Sequence, residues 1–294
     1  MSQTRTGLLL ALAAVLGWSA NPLFSRMLAG VVPPFTLALL RIAIALCVFT
    51  PLALPALRKA WPFIRARLWF YIFLAVTGLG FFNGLVYVAG RTTTAINISI
   101  LNTATPVFIL LLARIMYGEP FSCQRVFGVL TAICGMLLLT TKADPAVLRA
   151  LSFQAGDLVM LVNAFFFACY SVGVRYKDPE VDNNGLLLAM IIISFIYLLP
   201  LSAFEVLVLN MPVHVTPASV TGAVYLGIVA SILCYIWWTG AISRIGPSIT
   251  SLIYYTFPLF TGIQAVLILH EEPHWVHFAG GGLIIAGVIA ATRK

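Results

Sequence analysis

The most conspicuous chemical motif in the chain is a decoy. His270-Glu271-Glu272-Pro273-His274 spells H-E-x-x-H, which binds zinc when both histidines share one face of a continuous helix and the glutamate serves as general base. Pro273 interrupts that turn, so the segment reads as a loop between helices. Adding His277 would make no more than a weak surface metal site. No Ser/His/Asp set, phosphate-cradling loop or paired mid-segment aspartates accompany it, so neither an enzyme nor a cofactor is expected. Cys47, Cys123, Cys134, Cys169 and Cys234 follow neither disulfide nor zinc spacing and read as small apolar packing residues.

The remaining ionisable groups are more informative. Arg41 is the lone cation inside an apolar run, about seven residues in and so roughly 10 Å below its start. Insertion scales charge an unpaired arginine about 2.5–3.5 kcal/mol at the bilayer centre, so Arg41 is expected to face protein or water. Two readings stay open: a contact for a substrate carboxylate, or a bond to backbone carbonyls at a helix end. A single cation argues against polyanionic cargo. Glu119, Asp157, Glu205, Glu271 and Glu272 all fall at the ends of apolar runs. With no carboxylate at mid-depth, a buried acid that relays protons or holds Na⁺ or a cationic drug is not expected.

Neutral polar and aromatic groups at mid-depth need partners in hydrocarbon and so point inward. They include Trp18, Ser19 and Asn21; Asn83 and Tyr87, four apart on one helical face; Asn97, Ser99, Asn102 and Thr103; Asn163 and Tyr170; Tyr235, Trp237 and Trp238; and Ser251, Tyr254 and Tyr255. The candidate substrate-binding set is Trp18, Asn21, Arg41, Asn83, Tyr87, Asn102, Asn163, Tyr170, Tyr235, Trp238 and Tyr254. It would suit a neutral or zwitterionic solute with an apolar or aromatic body. The competing reading makes each Asn interhelical glue and each ring packing. Pro106 and Pro258 read as mid-helix kinks and candidate hinges. Trp61, Trp69 and Trp275, near run ends, read as interfacial belt residues.

These residues need elements to hold them, and composition says what kind. Of 294 residues, 61% are hydrophobic and 9% charged, against about 25% charged in soluble domains. A spanning helix takes about 20 apolar residues, and apolar runs divide the chain into ten: 7–29, 34–55, 68–90, 94–116, 122–141, 156–176, 185–207, 217–239, 245–269 and 273–292. The first run is long for a cleaved signal sequence and is read as an uncleaved span. With the N-terminus inside, cytoplasmic segments hold 12 Lys and Arg against 4 outside, which places both termini in the cytoplasm. The net charge of +8 is read as this topology signal and not as nucleic-acid binding.

The chain also repeats. Laid on 243–294 without gaps, residues 91–142 match at ten of 52 positions, among them Pro106 with Pro258, Glu119 with Glu271, Gly128 with Gly280 and Gly135 with Gly287. A weaker match sets Gly7 on Gly156 and Arg26 on Arg175. One membrane domain of two five-helix repeats, 1–145 and 150–294, follows. An odd number of spans per repeat inserts them in opposite directions, an arrangement used by secondary transporters with a site between the halves. The glycines at i and i+7 form small-residue stripes suited to close helix packing.

Gly17-Trp18, Leu40-Arg41-Ile42 and the stretch Thr93 to Leu138, with Pro106, Gly118-Glu119-Pro120 and Gly128, resemble the drug/metabolite transporter superfamily in its ten-helix EamA branch. The likeness runs the whole chain and is greatest to the bacterial aromatic amino acid exporters of the YddG type. It implies an all-α inner-membrane protein, monomer or dimer. Its central cavity would be built from spans 1–4 and 6–9, with spans 5 and 10 peripheral, and it would export amino acids or related metabolites. Alternating access without ion coupling, or exchange, is the expected mechanism. A multidrug or quaternary-amine exporter is the alternative within transport, favoured by a buried acid. An ion or water channel is the alternative outside it, marked by a continuous polar stripe.

Overall fold

The computed structural model describes residues 3–21, 24, 27–28, 30–92, 101–119, 122–141, 143–144, 146, 154–269 and 275–292, with the backbone alone for 265–269 and 277. Every regular element among them is helical. The H-E-x-x-H segment, Asn97, Ser99, Pro120 and both terminal pairs lie outside the described residues, as does the side chain of His277.

In chain order the helices are α1 (Gln3–Trp18), α2 (Pro34–Ala66), α3 (Leu68–Gly78), α4 (Gly80–Thr92), α5 (Ala104–Tyr117) and α6 (Cys123–Thr141). They are followed by α7 (Ala155–Gly173), α8 (Asn183–Ala203), α9 (Pro217–Tyr225), α10 (Cys234–Ile253), α11 (Phe257–Leu269) and α12 (Trp275–Thr292). Among the described residues, six helical stretches are long and apolar enough to cross a membrane, and two shorter apolar helices accompany them. Their outward faces carry large apolar side chains such as Leu52, Ile115, Phe127, Ile196 and Leu207, a surface that lipid tolerates and water does not. Cys47, Cys123 and Cys134 also face outward, leaving Cys234 buried and Cys169 half-buried.

Several runs have different ends from those the apolar pattern predicts. The first is interrupted after Trp18 by a turn at Ser19 and Ala20, beyond which Asn21, Phe24 and Met27 are again helical. The second continues to Ala66 through Pro51, Pro55 and Pro62. Leu57, Ala60 and Ile64 repeat on its buried face while Arg58, Lys59 and Trp61 stay exposed, so an amphipathic extension carries it past the apolar core. The third run is broken at Leu79, between α3 and α4. The eighth runs without a loop from α9 through a π-helical segment, Leu226–Leu233, into α10. The break from the ninth is the single residue Gly246, at φ 77° and ψ 163°, a conformation essentially confined to glycine.

Three antiparallel contacts organise the bundle. Gly128 faces Gly287 and Ala291, and Gly135 faces Gly280 and Ile284, so α6 crosses α12 along the glycine stripe. A Cβ on Gly128 would stand 2.6 Å from the Gly287 carbonyl oxygen, and hence only glycine permits this approach. Gly185 of α8 packs on Ala56 and Ala60 of α2, while Glu205, in the π-helical continuation of α8, reaches the opposite end of α2. Gly7 and Gly17 of α1 meet Ile245 and Cys234 of α10.

Candidate functional site

Arg41 on α2 is fully buried. Its Nε donates to Ser231 Oγ at 2.8 Å, and its Nη1 donates to Asn83 Oδ1 at 2.8 Å and Tyr87 Oη at 3.0 Å. The Asn83 amide in turn donates to the Leu79 carbonyl, at the break between α3 and α4. Nη2 of Arg41 is buried without a hydrogen-bond partner. Both ion pairs found among the described residues belong to Glu119, with Arg125 and Arg175, so no carboxylate there neutralises Arg41. A buried charge balanced only by neutral dipoles is costly, several kcal/mol per unpaired ion.

The π-helical segment accounts for how Ser231 reaches this site. The widened turn lets Ser231 Oγ bond back to the Leu226 carbonyl at 2.8 Å while accepting from Arg41. In the same segment the Ala230 carbonyl accepts the Trp18 indole N–H at 2.9 Å. π-segments recur at functional sites because they redirect side chains in this way.

Beside the arginine lies a cluster of rings. Trp18 packs on Phe167, Tyr235 and Trp238 with centroids 5.5, 5.3 and 5.4 Å apart. Phe167 also stacks on Phe82 at 4.9 Å and touches Tyr170, Trp238 and Tyr254. Tyr254 stacks on Phe257. Tyr235 donates to the Gly78 carbonyl, one residue before the Leu79 carbonyl that accepts from Asn83, joining the two groups. Gly78 is required here: a Cβ on it would lie 2.3 Å from the Tyr170 ring. The rings occupy the position where an open cavity was expected. Two grooves, one along Leu110, Val129 and Ile133 and another along Leu57, Ile72 and Ile193, hold none of the expected residues.

Of the expected set, Arg41, Asn83 and Tyr87 meet as one polar group, and Trp18, Tyr170, Tyr235, Trp238 and Tyr254 as one aromatic group. Asn163 is buried one turn before Phe167 with both amide atoms unpartnered. Asn21 is half-buried with its Oδ1 unpartnered. Asn102 is half-buried and joins neither group. Sequence reasoning passed over Ser231, Phe167 and Phe82. Pro106 and Pro258 lie three and four residues beyond an interruption of the α pattern, at Thr103 and at the start of the 3₁₀ segment Tyr254–Thr256, within stretches that stay helical on both sides. Each ring removes the N–H that would bond four residues back, which accounts for the local loosening.

The acids at helix ends are structural. Glu205 accepts from Phe35 N at 3.0 Å and Thr36 N at 2.8 Å, capping α2 from the other half of the chain. Asp157 accepts from the Gln154 backbone N–H in a capping box on α7.

Comparison with known proteins adds the family. The model of the EamA-like transporter family matches twice, over residues 5–141 and 154–293. An uncharacterized transporter of Archaeoglobus fulgidus is 28% identical over 299 residues, covering 99% of this chain and 98% of that one. A probable terminal-alkyne amino-acid exporter of Streptantibioticus cattleyicolor is 26% identical over 200 residues, covering 67% and 63%. A solved crystal structure superposes with a TM-score of 0.78 at 21% identity, covering 98% of this chain and 96% of that one, a likeness of fold alone.

Proposed function

Because the chain belongs to the EamA-like transporter family and is thus a multi-pass membrane transporter, we propose that it exports amino acids or related metabolites, aromatic ones favoured, across a bacterial plasma membrane. One observation carries the reading. The buried Arg41 group and the ring cluster are built across the two family matches: Arg41 of the first bonds Ser231 of the second, and Trp18 of the first packs on Phe167, Tyr235 and Trp238 of the second. Groups shared in this way must part and re-form when the halves move against each other, as alternating access requires. The amino-acid exporter among the relatives supports the choice of cargo.

In this reading the chain forms ten spans in two inverted repeats with both termini cytoplasmic. Exchanging repeats at an offset of 152 turns the contact of Gly128 with Gly287 into that of Gly280 with Gly135, and both contacts occur. The breaks before Pro106 and Pro258 are matched at the same offset and serve as hinges. The substrate set is Trp18, Asn21, Arg41, Asn83, Tyr87, Asn102, Asn163, Tyr170, Tyr235, Trp238 and Tyr254. With Glu205 and Asp157 committed to helix ends, transport runs by facilitated diffusion or exchange.

Uptake into proteoliposomes with a panel of amino acids, with and without pH and Na⁺ gradients, tests this. Aromatic amino acids should move without either gradient, and replacing Asn83, Tyr87 or Tyr254 should change flux while leaving insertion intact. Robust flux of organic cations with none of any aromatic amino acid would favour the multidrug alternative instead.

A further inference from the structure

The Arg41 site makes a narrower statement about cargo, one that rests on the transport reading above. Arg41 spends three donors on Ser231, Asn83 and Tyr87 and keeps Nη2 buried and unpartnered. Tyr170 Oη and both amide atoms of Asn163, on the α7 face that carries Phe167, are likewise buried without partners. These are open positions for a ligand that brings one negative charge and a flat apolar body. No acidic side chain among the described residues joins either group, because the two buried acids, Glu205 and Asp157, are held by helix N-termini.

We infer that the site recognises an aromatic monocarboxylate through Arg41 Nη2, and that it does not read the amino group. The carboxylate completes the arginine and removes an unbalanced buried charge. The aromatic body displaces or intercalates the rings around Trp18 and Phe167. A substrate ammonium gains no countercharge there, only the neutral Asn163 Oδ1 and ring faces, which an uncharged hydroxyl or oxo substituent meets without the cost of burying a second charge. Aromatic 2-hydroxy and 2-oxo acids are therefore carried at least as well as the corresponding amino acids, whereas the decarboxylated amines are excluded.

The test is competition in proteoliposomes loaded for counterflow of labelled phenylalanine. Phenyllactate should compete as well as unlabelled phenylalanine or better. Phenethylamine should be weaker by about tenfold to a hundredfold, the worth of a charge-assisted hydrogen-bonded pair, and Arg41→Gln should weaken both carboxylates by a similar factor. Phenethylamine competing as well as phenylalanine, or phenyllactate competing more than tenfold worse, overturns the inference and leaves amino-acid export standing. If phenylalanine does not move, labelled phenyllactate is offered directly. Its flux would sustain the inference while refuting the amino-acid reading, and its failure both to move and to quench tryptophan fluorescence would overturn the inference. Should Arg41→Gln not reach the membrane, the wild-type panel decides alone.

Discussion

At the scale of single residues, the buried charges divide into one that awaits a partner and others that already have theirs. Glu205 takes two backbone N–H groups and the Thr36 hydroxyl at the start of α2, a charge-assisted cap supplied by a distant part of the chain. Glu205→Ala should cost about 1–2 kcal/mol of stability, and Glu205→Gln, which keeps one acceptor, about half. Thermal midpoints in detergent measure both, and an unchanged midpoint for the alanine variant would show that α2 is held by packing alone. Arg41 was legible because a charge in an apolar run must be accommodated by something. Ser231 was not, because its aim depends on the π-helical turn, and Phe167 was not, because nothing distinguishes it within the run Phe165-Phe166-Phe167.

At the scale of elements, apolar runs mark helical segments but not where they end. A run reports where lipid-compatible residues lie, and a helix ends where its backbone bonds do. α2 shows this with its amphipathic extension to Ala66, and so does α10, which runs helically through the break predicted at 240–244 and is interrupted at the single residue Gly246. Gly246 holds φ 77° and ψ 163°, so Gly246→Ala forces a side chain into a region L-residues scarcely enter. The cost should be about 1–3 kcal/mol, read as a lowered thermal midpoint. An alanine variant as stable as the parent would mean that the α10 backbone relaxes at this position. The prolines show what a residue type can announce. The interruptions at Thr103 and Tyr254–Thr256 fall within the turn whose i→i−4 bond each proline removes.

At the scale of the whole molecule, the offset of 152 was the most far-reaching signal in the sequence, because matched Pro, Glu and Gly survive where apolar residues interchange freely. From that offset, the double family match and the antiparallel crossing of α6 and α12, we propose two repeats that enter the membrane in opposite senses. That proposal fixes a sidedness for every connection. With the N-terminus inside, the segment around Asn210 faces outward and that around Glu180 faces the cytoplasm, beside Arg175 and Lys177. All five native cysteines are free, so they are first replaced, and single cysteines are then introduced as Asn210→Cys and Glu180→Cys, both at exposed positions. A membrane-impermeant maleimide should label the Asn210→Cys protein in intact cells and the Glu180→Cys protein only after permeabilisation. The reverse pattern would invert the topology, and labelling of both from outside would require an even number of crossings between them, as a re-entrant α8 would give, in place of the single crossing proposed. Because α8 is the sole helix between the two positions, opposite labelling means that it spans the bilayer, and its antiparallel contact with α2 then fixes the direction of α2 and of the arginine it carries.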